Sequence, residues 1–158
     1  MRVLGVDPGT SVTGYGVIES GNGASGMGRL VECGVIRFSG RSPLPRRLRE
    51  LHAHIADLIA RHRPAVLALE NAFYHKNVHT TLVLGHARGV ILLAAEQAGI
   101  TIAEYPPATV KKTVVGAGGA AKTQVGSVVA HLLHLKEAPR PADAADGVAV
   151  ALAHMLRS

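Results

Sequence analysis

The apolar positions of this chain first change their spacing about a quarter of the way along. Val3, Leu4 and Val6 open a buried-looking run that stops on Asp7, and the following stretch is rich in Gly and β-branched residues. Three strands fit this part: Val3 to Asp7, Val12 to Glu19 and Leu30 to Phe38. The Gly21-Asn-Gly-Ala-Ser-Gly segment supplies the turn between the second and third. Short connections between consecutive strands predict an antiparallel start.

From Leu44 the apolar residues step by three and four, through Leu48, Leu51, Ile55, Leu58 and Ile59. Arg46, Arg47, Arg49 and Arg61 fall mostly off that stripe, so an amphipathic helix is predicted, ended by Pro64. "AVLALE" reads as a short buried strand that again ends on an acid, Glu70. A second helix is predicted from about His79 to Gln97, followed by Gly99 and the strand "ITIAEY". Pro106-Pro107 breaks the chain, and "ATVKKTVV" suits either a short helix or a strand. After "GAGGAAK" two helices follow, roughly Thr123 to Leu135 and Ala142 to Leu156, separated by "KEAPRP". Antiparallel strands followed by alternating β and α units predict an α/β fold, a mixed sheet with helices on both faces.

Composition narrows this picture. At 158 residues, 47% apolar and 18% charged, the chain has enough apolar surface for one domain spanning 1-158. Its single cysteine, Cys33, allows no intramolecular disulfide, favours a cytoplasmic setting and leaves a cysteine-based zinc site unsupported. No signal peptide is expected, because Asp7 interrupts the apolar run near the start. The longest apolar region, Leu82 to Ala98, contains His86, Arg88 and Glu96, and no membrane span is expected there. Seventeen Lys and Arg oppose eleven acids, a net charge of +6 and a pI near 10.0, which suits an anionic partner, nucleic acid first.

Four acids stand in unusual places. Asp7 and Glu70 end predicted buried strands, the position where open α/β sheets place their ligand crevice. Asp143 and Asp146 are three apart near the start of the last helix, hence on one face. Singly, each has an ordinary explanation. Asp143 would cap the helix with Asp146 in its first turn, Glu70 would begin a loop, and Asp7 would form an Asx turn with Gly9 and Thr10. Together, four converging carboxylates repel unless a hard cation joins them, and all-oxygen sites select Mg²⁺ or Mn²⁺. Such a cluster inside a basic protein matches metal-assisted attack on phosphodiesters.

"GVDPGTSVTGYGVI" resembles the opening of the RuvC family, the bacterial Holliday junction resolvases of RNase H-like fold. The likeness continues in "LALENAFYHKN", "LGHARGV", "VKKTVVGAGGAAKTQV" and "ADAADGVAVALAH", in the family's order and over nearly the whole chain. It implies a homodimer that binds a four-way DNA junction and nicks two strands of like polarity, in recombination and repair. It implies Asp7, Glu70, Asp143 and Asp146 as ligands of two Mg²⁺ or Mn²⁺ ions, with Asp7 serving both. Lys122 matches the family's catalytic lysine, and Lys111 a second functional lysine, with Lys112 beside it as a competing choice. Phe73 matches an aromatic that stacks on an unpaired base near the crossover, and the segment from Tyr74 to Thr80 falls near the junction centre. Lys76, Asn77 and Arg88 are candidates for phosphate contacts. The dimer seam is expected on the second helix, about Leu82 to Ala95, and the branch-migration proteins RuvA and RuvB are the expected partners.

Other readings are weaker. "VDPGT" also resembles the phosphate loop of actin-like ATPases, which need a second loop and a longer chain. "GAGGAAKT" misses the P-loop pattern, because Ala121 stands where that pattern has Gly. The pairs His75/His79 and His131/His134 have helical spacing but lack a third zinc ligand. A nuclease of the same fold acting on structured RNA, and a catalytically silent junction binder, are the alternatives to be separated by experiment.

Overall fold

A computed structural model describes residues 1–21, 26, 28–71 and 76–158, with the Lys122 side chain outside the description. Among these residues five strands form one sheet: β1 (Arg2–Asp7), β2 (Val12–Glu19), β3 (Arg29–Arg37), β4 (Val66–Glu70) and β5 (Thr101–Tyr105). Five helices cover it: α1 (Leu44–His62), α2 (Val78–Gln97), α3 (Pro107–Val115), α4 (Lys122–Leu132) and α5 (Ala142–Arg157). The spatial order of the strands is β3-β2-β1-β4-β5. β2 runs antiparallel to both β1 and β3, whereas β4 is parallel to β1 and to β5. The carboxyl ends of β1, β3, β4 and β5 therefore share one edge of the sheet. This is the mixed α/β arrangement predicted from the sequence, with its strand boundaries shifted by a residue or so.

Side-chain alternation along the central strands sorts the core into two layers. Leu4 and Val6 of β1 and Leu67 and Leu69 of β4 pack with α1 and α2. Val3 and Ala68, on the opposite face, pack with α3, α4 and α5. Leu51 and Ile55 of α1 are fully buried, each contributing roughly 1.5–3 kcal/mol of transfer free energy.

The helix ends follow from local chemistry. Pro64 stops α1, whose capping residue Arg63 turns into the left-handed region with φ 47°. Asn77 begins α2, its side chain accepting a hydrogen bond from the Thr80 amide at 3.1 Å. The ambiguous "ATVKKTVV" is helical. Its β-branched content suits a strand, but Pro107 at the first helical position and Gly116 at the far end, with φ 87°, bracket a helix.

By length and composition α2 is long and apolar enough to cross a membrane, despite the charged residues that argued against a span. Its inner face, Val83, Ala87, Ile91, Ala94 and Ala95, is packed into the core.

Candidate active site

The register of β1 against β4, ending with Val6 opposite Leu69, brings Asp7 and Glu70 to adjacent strand ends. Neighbouring strands lie about 4.8 Å apart. Both acids follow the Val3 and Ala68 side of the alternation, so they face α5 rather than α1 and α2.

What brings α5 close is the absence of side chains beneath it. A Cβ on Gly5 of β1 would overlap the backbone of Gly147 and Ala151, and one on Gly14 of β2 would overlap the Asp143 carbonyl. The helix backbone thus rests directly on the sheet. Asp146, one turn into α5, then meets the strand ends in a cleft of about 130 Å³, lined also by Asp7, Glu70, Pro107, Val110, Lys111, Val125 and Ala149. That volume is small beside the roughly 300–1,000 Å³ of organic-ligand pockets. Among the described residues three carboxylates and one ammonium group line it, with no sulfur or imidazole, so its donors suit a hard divalent ion. Among the described residues no group of three or more His, Cys, Asp and Glu converges on one point.

The structure distributes the remaining sequence candidates as follows. Asp143 lies in the first turn of α5 and does not take the capping role that was its ordinary alternative: Pro141 occupies that position without a side-chain hydrogen bond. Asp143 is not among the residues lining the cleft. Lys111 lines the cleft, whereas Lys112, rotated about 100° around α3, lines a separate groove with Thr109, Thr113, Leu156 and Arg157. Lys122 is the first residue of α4, and its side chain lies outside the description. Phe73 and Tyr74 also lie outside the described residues, as does His75 of the proposed zinc pair. Lys76 and Asn77 are exposed at the start of α2. Arg88 donates to Glu104 of β5 at 2.7 Å.

That last contact belongs to a group the sequence reading passed over. Asn71, buried directly after Glu70, donates its side-chain amide to Glu104 at 3.3 Å. Among the described residues its amide oxygen has no hydrogen-bond partner. The group sits on the α2 side of the sheet, behind the carboxylate cleft. On the cleft side, Tyr105 and His154 share a hydrogen bond of 2.7 Å that ties the end of β5 to α5. Burial holds the His154 pKa below 6.5. The signal for Glu104 was available: like Asp7 and Glu70, it interrupts an apolar strand near its end.

Residues 3–154 match the family model "Crossover junction endodeoxyribonuclease RuvC". A relative of that name from Pelotomaculum thermopropionicum is 47% identical over 98% of this chain and 92% of its own length. The solved structure of Thermus thermophilus RuvC superposes with a TM-score of 0.88 at 38% identity, covering 99% of this chain and 94% of that one. The same Thermus protein solved in complex with a Holliday junction substrate gives 0.88 at 35% identity, with the same coverage. Carboxylates at parallel strand ends, a helix laid on glycines beside them and this likeness over the full domain agree: the chain belongs to the RuvC family of crossover junction endodeoxyribonucleases, with its RNase H-like fold.

Proposed function

We propose that Asp7, Glu70 and Asp146, with Asp143 beside them, hold two Mg²⁺ or Mn²⁺ ions, and that the protein nicks two like-polarity strands of a four-way DNA junction. The observation that carries this reading is the cleft itself, where acids from β1, β4 and α5 meet Lys111. Bound ions would activate water and neutralise charge developing on the phosphate. Asp7 ends β1, which pairs with β4 and packs against α5, and that position supports a role in holding both ions. Lys111 sets a positive charge against the phosphate oxygens, and Lys122 adds a second at the start of α4. Val110, Val125 and Ala149 give that cleft an apolar wall that limits bulk water. Hydrolysis leaves a 5′-phosphate and a 3′-hydroxyl.

Phe73 and Tyr74 stack near the crossover, while Lys76, Asn77 and Lys112 contact phosphates. Arg88 reaches the substrate only by giving up Glu104, so its first role is to hold that carboxylate.

The active unit is a homodimer joined along α2. Val78, Leu82 and Leu93 on its outer face are 74%, 59% and 51% exposed. Gly85 and Gly89, four residues apart on that same face, have no neighbour within 4 Å of a would-be Cβ. Glycine inside an exposed helix is unfavourable by about 1 kcal/mol relative to Ala, and a closely approaching second helix offsets that. RuvA, RuvB and a cytoplasmic setting complete the reading on the family likeness alone.

The test is nicking of a synthetic four-way DNA junction with Mg²⁺ or Mn²⁺ by wild type and Asp7→Asn, with a structured RNA offered in parallel. Paired nicks in junction DNA that vanish in the variant while binding persists are expected. Cleavage of RNA in preference, or nicking untouched by the substitution, would overturn the assignment.

A further inference from the structure

Five arginines, Arg37, Arg41, Arg46, Arg47 and Arg49, occur within thirteen residues that contain no acid. They run from the end of β3 through the following turn into the first turns of α1. No carboxylate forms an ion pair with any of them among the described residues, whereas Arg2, Arg29, Arg61, Arg88 and Arg140 are all paired. Arg37, Arg41, Arg46 and Arg49 are exposed, and the half-buried Arg47 keeps its Nε out of water with no acceptor against it among the described residues.

The placement runs against the local electrostatics. Arg46 and Arg47 fall in the first turn of α1, where aligned peptide dipoles favour anions, and that turn holds no acid and no side-chain cap. Like charges brought together at the positive end of a helix weaken the free protein. An anion supplied from outside would neutralise all of these terms at once.

Topology says which anion. β3 runs in the same direction as β1, so its arginine-bearing end lies on the edge of the sheet where Asp7 and Glu70 end. Two strand spacings, about 10 Å, separate β3 from β1. With an axial rise of about 3.4 Å per nucleotide, a duplex crossing this edge presents phosphates to the arginines within a few nucleotides of the cleft.

We infer that this arginine patch is a second DNA-binding surface, outside the catalytic cleft, that takes the backbone phosphates of one duplex arm of the junction. The inference rests on junction DNA being the substrate, and on the directions of β1 and β3. The patch sets affinity and the path of the arm; the chemistry stays with the acids.

The experiment compares wild type, Arg41→Gln/Arg46→Gln/Arg49→Gln, and a control triple, Arg63→Gln/Lys136→Gln/Arg140→Gln, with the same charge change. Binding of a fluorescent four-way junction is titrated at several salt concentrations, and nicking is timed at saturating enzyme. The patch variant should bind roughly tenfold or more weaker at moderate salt, with the slope of log K against log[salt] shallower by about 0.9 for each phosphate the protein no longer neutralises. Its nicking rate at saturation should equal wild type, and the control triple should retain most of the wild-type slope. An unchanged slope in the patch variant, or an equal loss in the control, overturns the inference. Failure of the wild type itself to bind the junction would overturn the proposed function instead. A thermal melt confirms that each variant is folded.

Discussion

The backbone of Gly14 in β2 lies directly beneath the carbonyl of Asp143 in α5, with no room for a Cβ between them. The same closeness recurs at Gly5 under Gly147 and Ala151, so the helix carrying Asp146 is registered against the strand carrying Asp7 by backbone contact. Gly14→Ala must push α5 off the sheet. The expected cost is about 3 kcal/mol, measured by urea unfolding, with nicking activity of the folded fraction reduced at least tenfold. Gly40→Ala is the matched contrast, since nothing lies within 4 Å of a Cβ there and the position lies away from both α5 and α2. A wild-type stability for Gly14→Ala would disprove the backbone-contact account.

This contact also marks what was legible in the sequence. Strand ends on Asp7 and Glu70 and the helical spacing of Asp143 and Asp146 could be read from the residues, as could the order of nearly every element. The glycines of "VLGVDPGTSVTGYG" could be read only as strand-compatible and flexible, because a close approach is a property of the partner element. Asp143 and Asp146 share a helix face by spacing, yet only Asp146 lines the cleft. Which of the two enters the cleft depends on how α5 is rotated against the sheet, and helical periodicity holds no information about that. Glu104 carried the same strand-end signature as Asp7 and Glu70 but emerges on the other face of the sheet. The parity of its position in β5 relative to Glu70 depends on the register between the two strands, which local sequence does not specify.

Lys111 and Lys112 are adjacent in sequence and diverge in space. Lys111 shares the cleft with Asp7, Glu70 and Asp146, whereas Lys112 faces Arg157 and two threonines elsewhere. Lys111→Gln is expected to lower the nicking rate at saturating enzyme by roughly 100-fold with little change in junction affinity. Lys112→Gln should leave the rate at saturation within about twofold and weaken binding only modestly. Single-turnover cleavage and a binding titration on both variants check this. Equal rate losses would mean that proximity to the acids does not distinguish the two.

Carboxylates in the cleft predict a separation between binding and chemistry. Glu70→Gln and Asp146→Asn should each reduce nicking by more than about 100-fold, the upper range for groups that merely orient metal ligands. Neither should weaken junction binding, since removing negative charge from a phosphate-binding surface lowers repulsion. The check is anisotropy of a labelled junction alongside a cleavage gel. Parallel loss of binding and cleavage would assign these residues to folding rather than catalysis.

Away from the site, Glu32 of β3 ties the sheet to α1. Its carboxylate accepts from Arg61 at 2.8 Å and from Tyr15 at 3.0 Å, and it meets the His62 ring. Arg61 above all, with burial opposing and His62 and Tyr15 adding, holds the Glu32 pKa at about 2 against 4.5. A carboxyl depressed in the folded state contributes stability above pH 4.5, lost as pH falls toward 2. Tyr15 has the opposite sign: burial, then Glu32, raises it from 10.0 to about 12, so its contribution is present below pH 10 and lost on approaching 12. Glu32→Gln should flatten the acid limb of melting temperature against pH and bring the Tyr15 titration, followed by ultraviolet absorbance, back toward 10. An acid limb unchanged in the variant would place the sensitivity in other carboxylates.

The outer face of α2 supplies the last prediction. Val78, Leu82 and Leu93 expose more apolar surface than the other large side chains of this helix, and Gly85 and Gly89 between them leave a shallow channel along it. A monomer gains nothing from this arrangement, because the glycines weaken the helix and the leucines face water. A second copy laid across the channel would bury both and allow close backbone approach. Leu82→Glu/Leu93→Glu should therefore give a folded monomer by sedimentation, its own core intact because neither side chain enters it. Pairing sets two clefts against one junction, so the monomer should lose concerted nicking before it loses isolated nicks. On a cruciform plasmid this appears as nicked circles replacing linear product. A variant that sediments as wild type, or a wild type that sediments as a monomer at concentrations where it resolves junctions, would remove α2 from the seam.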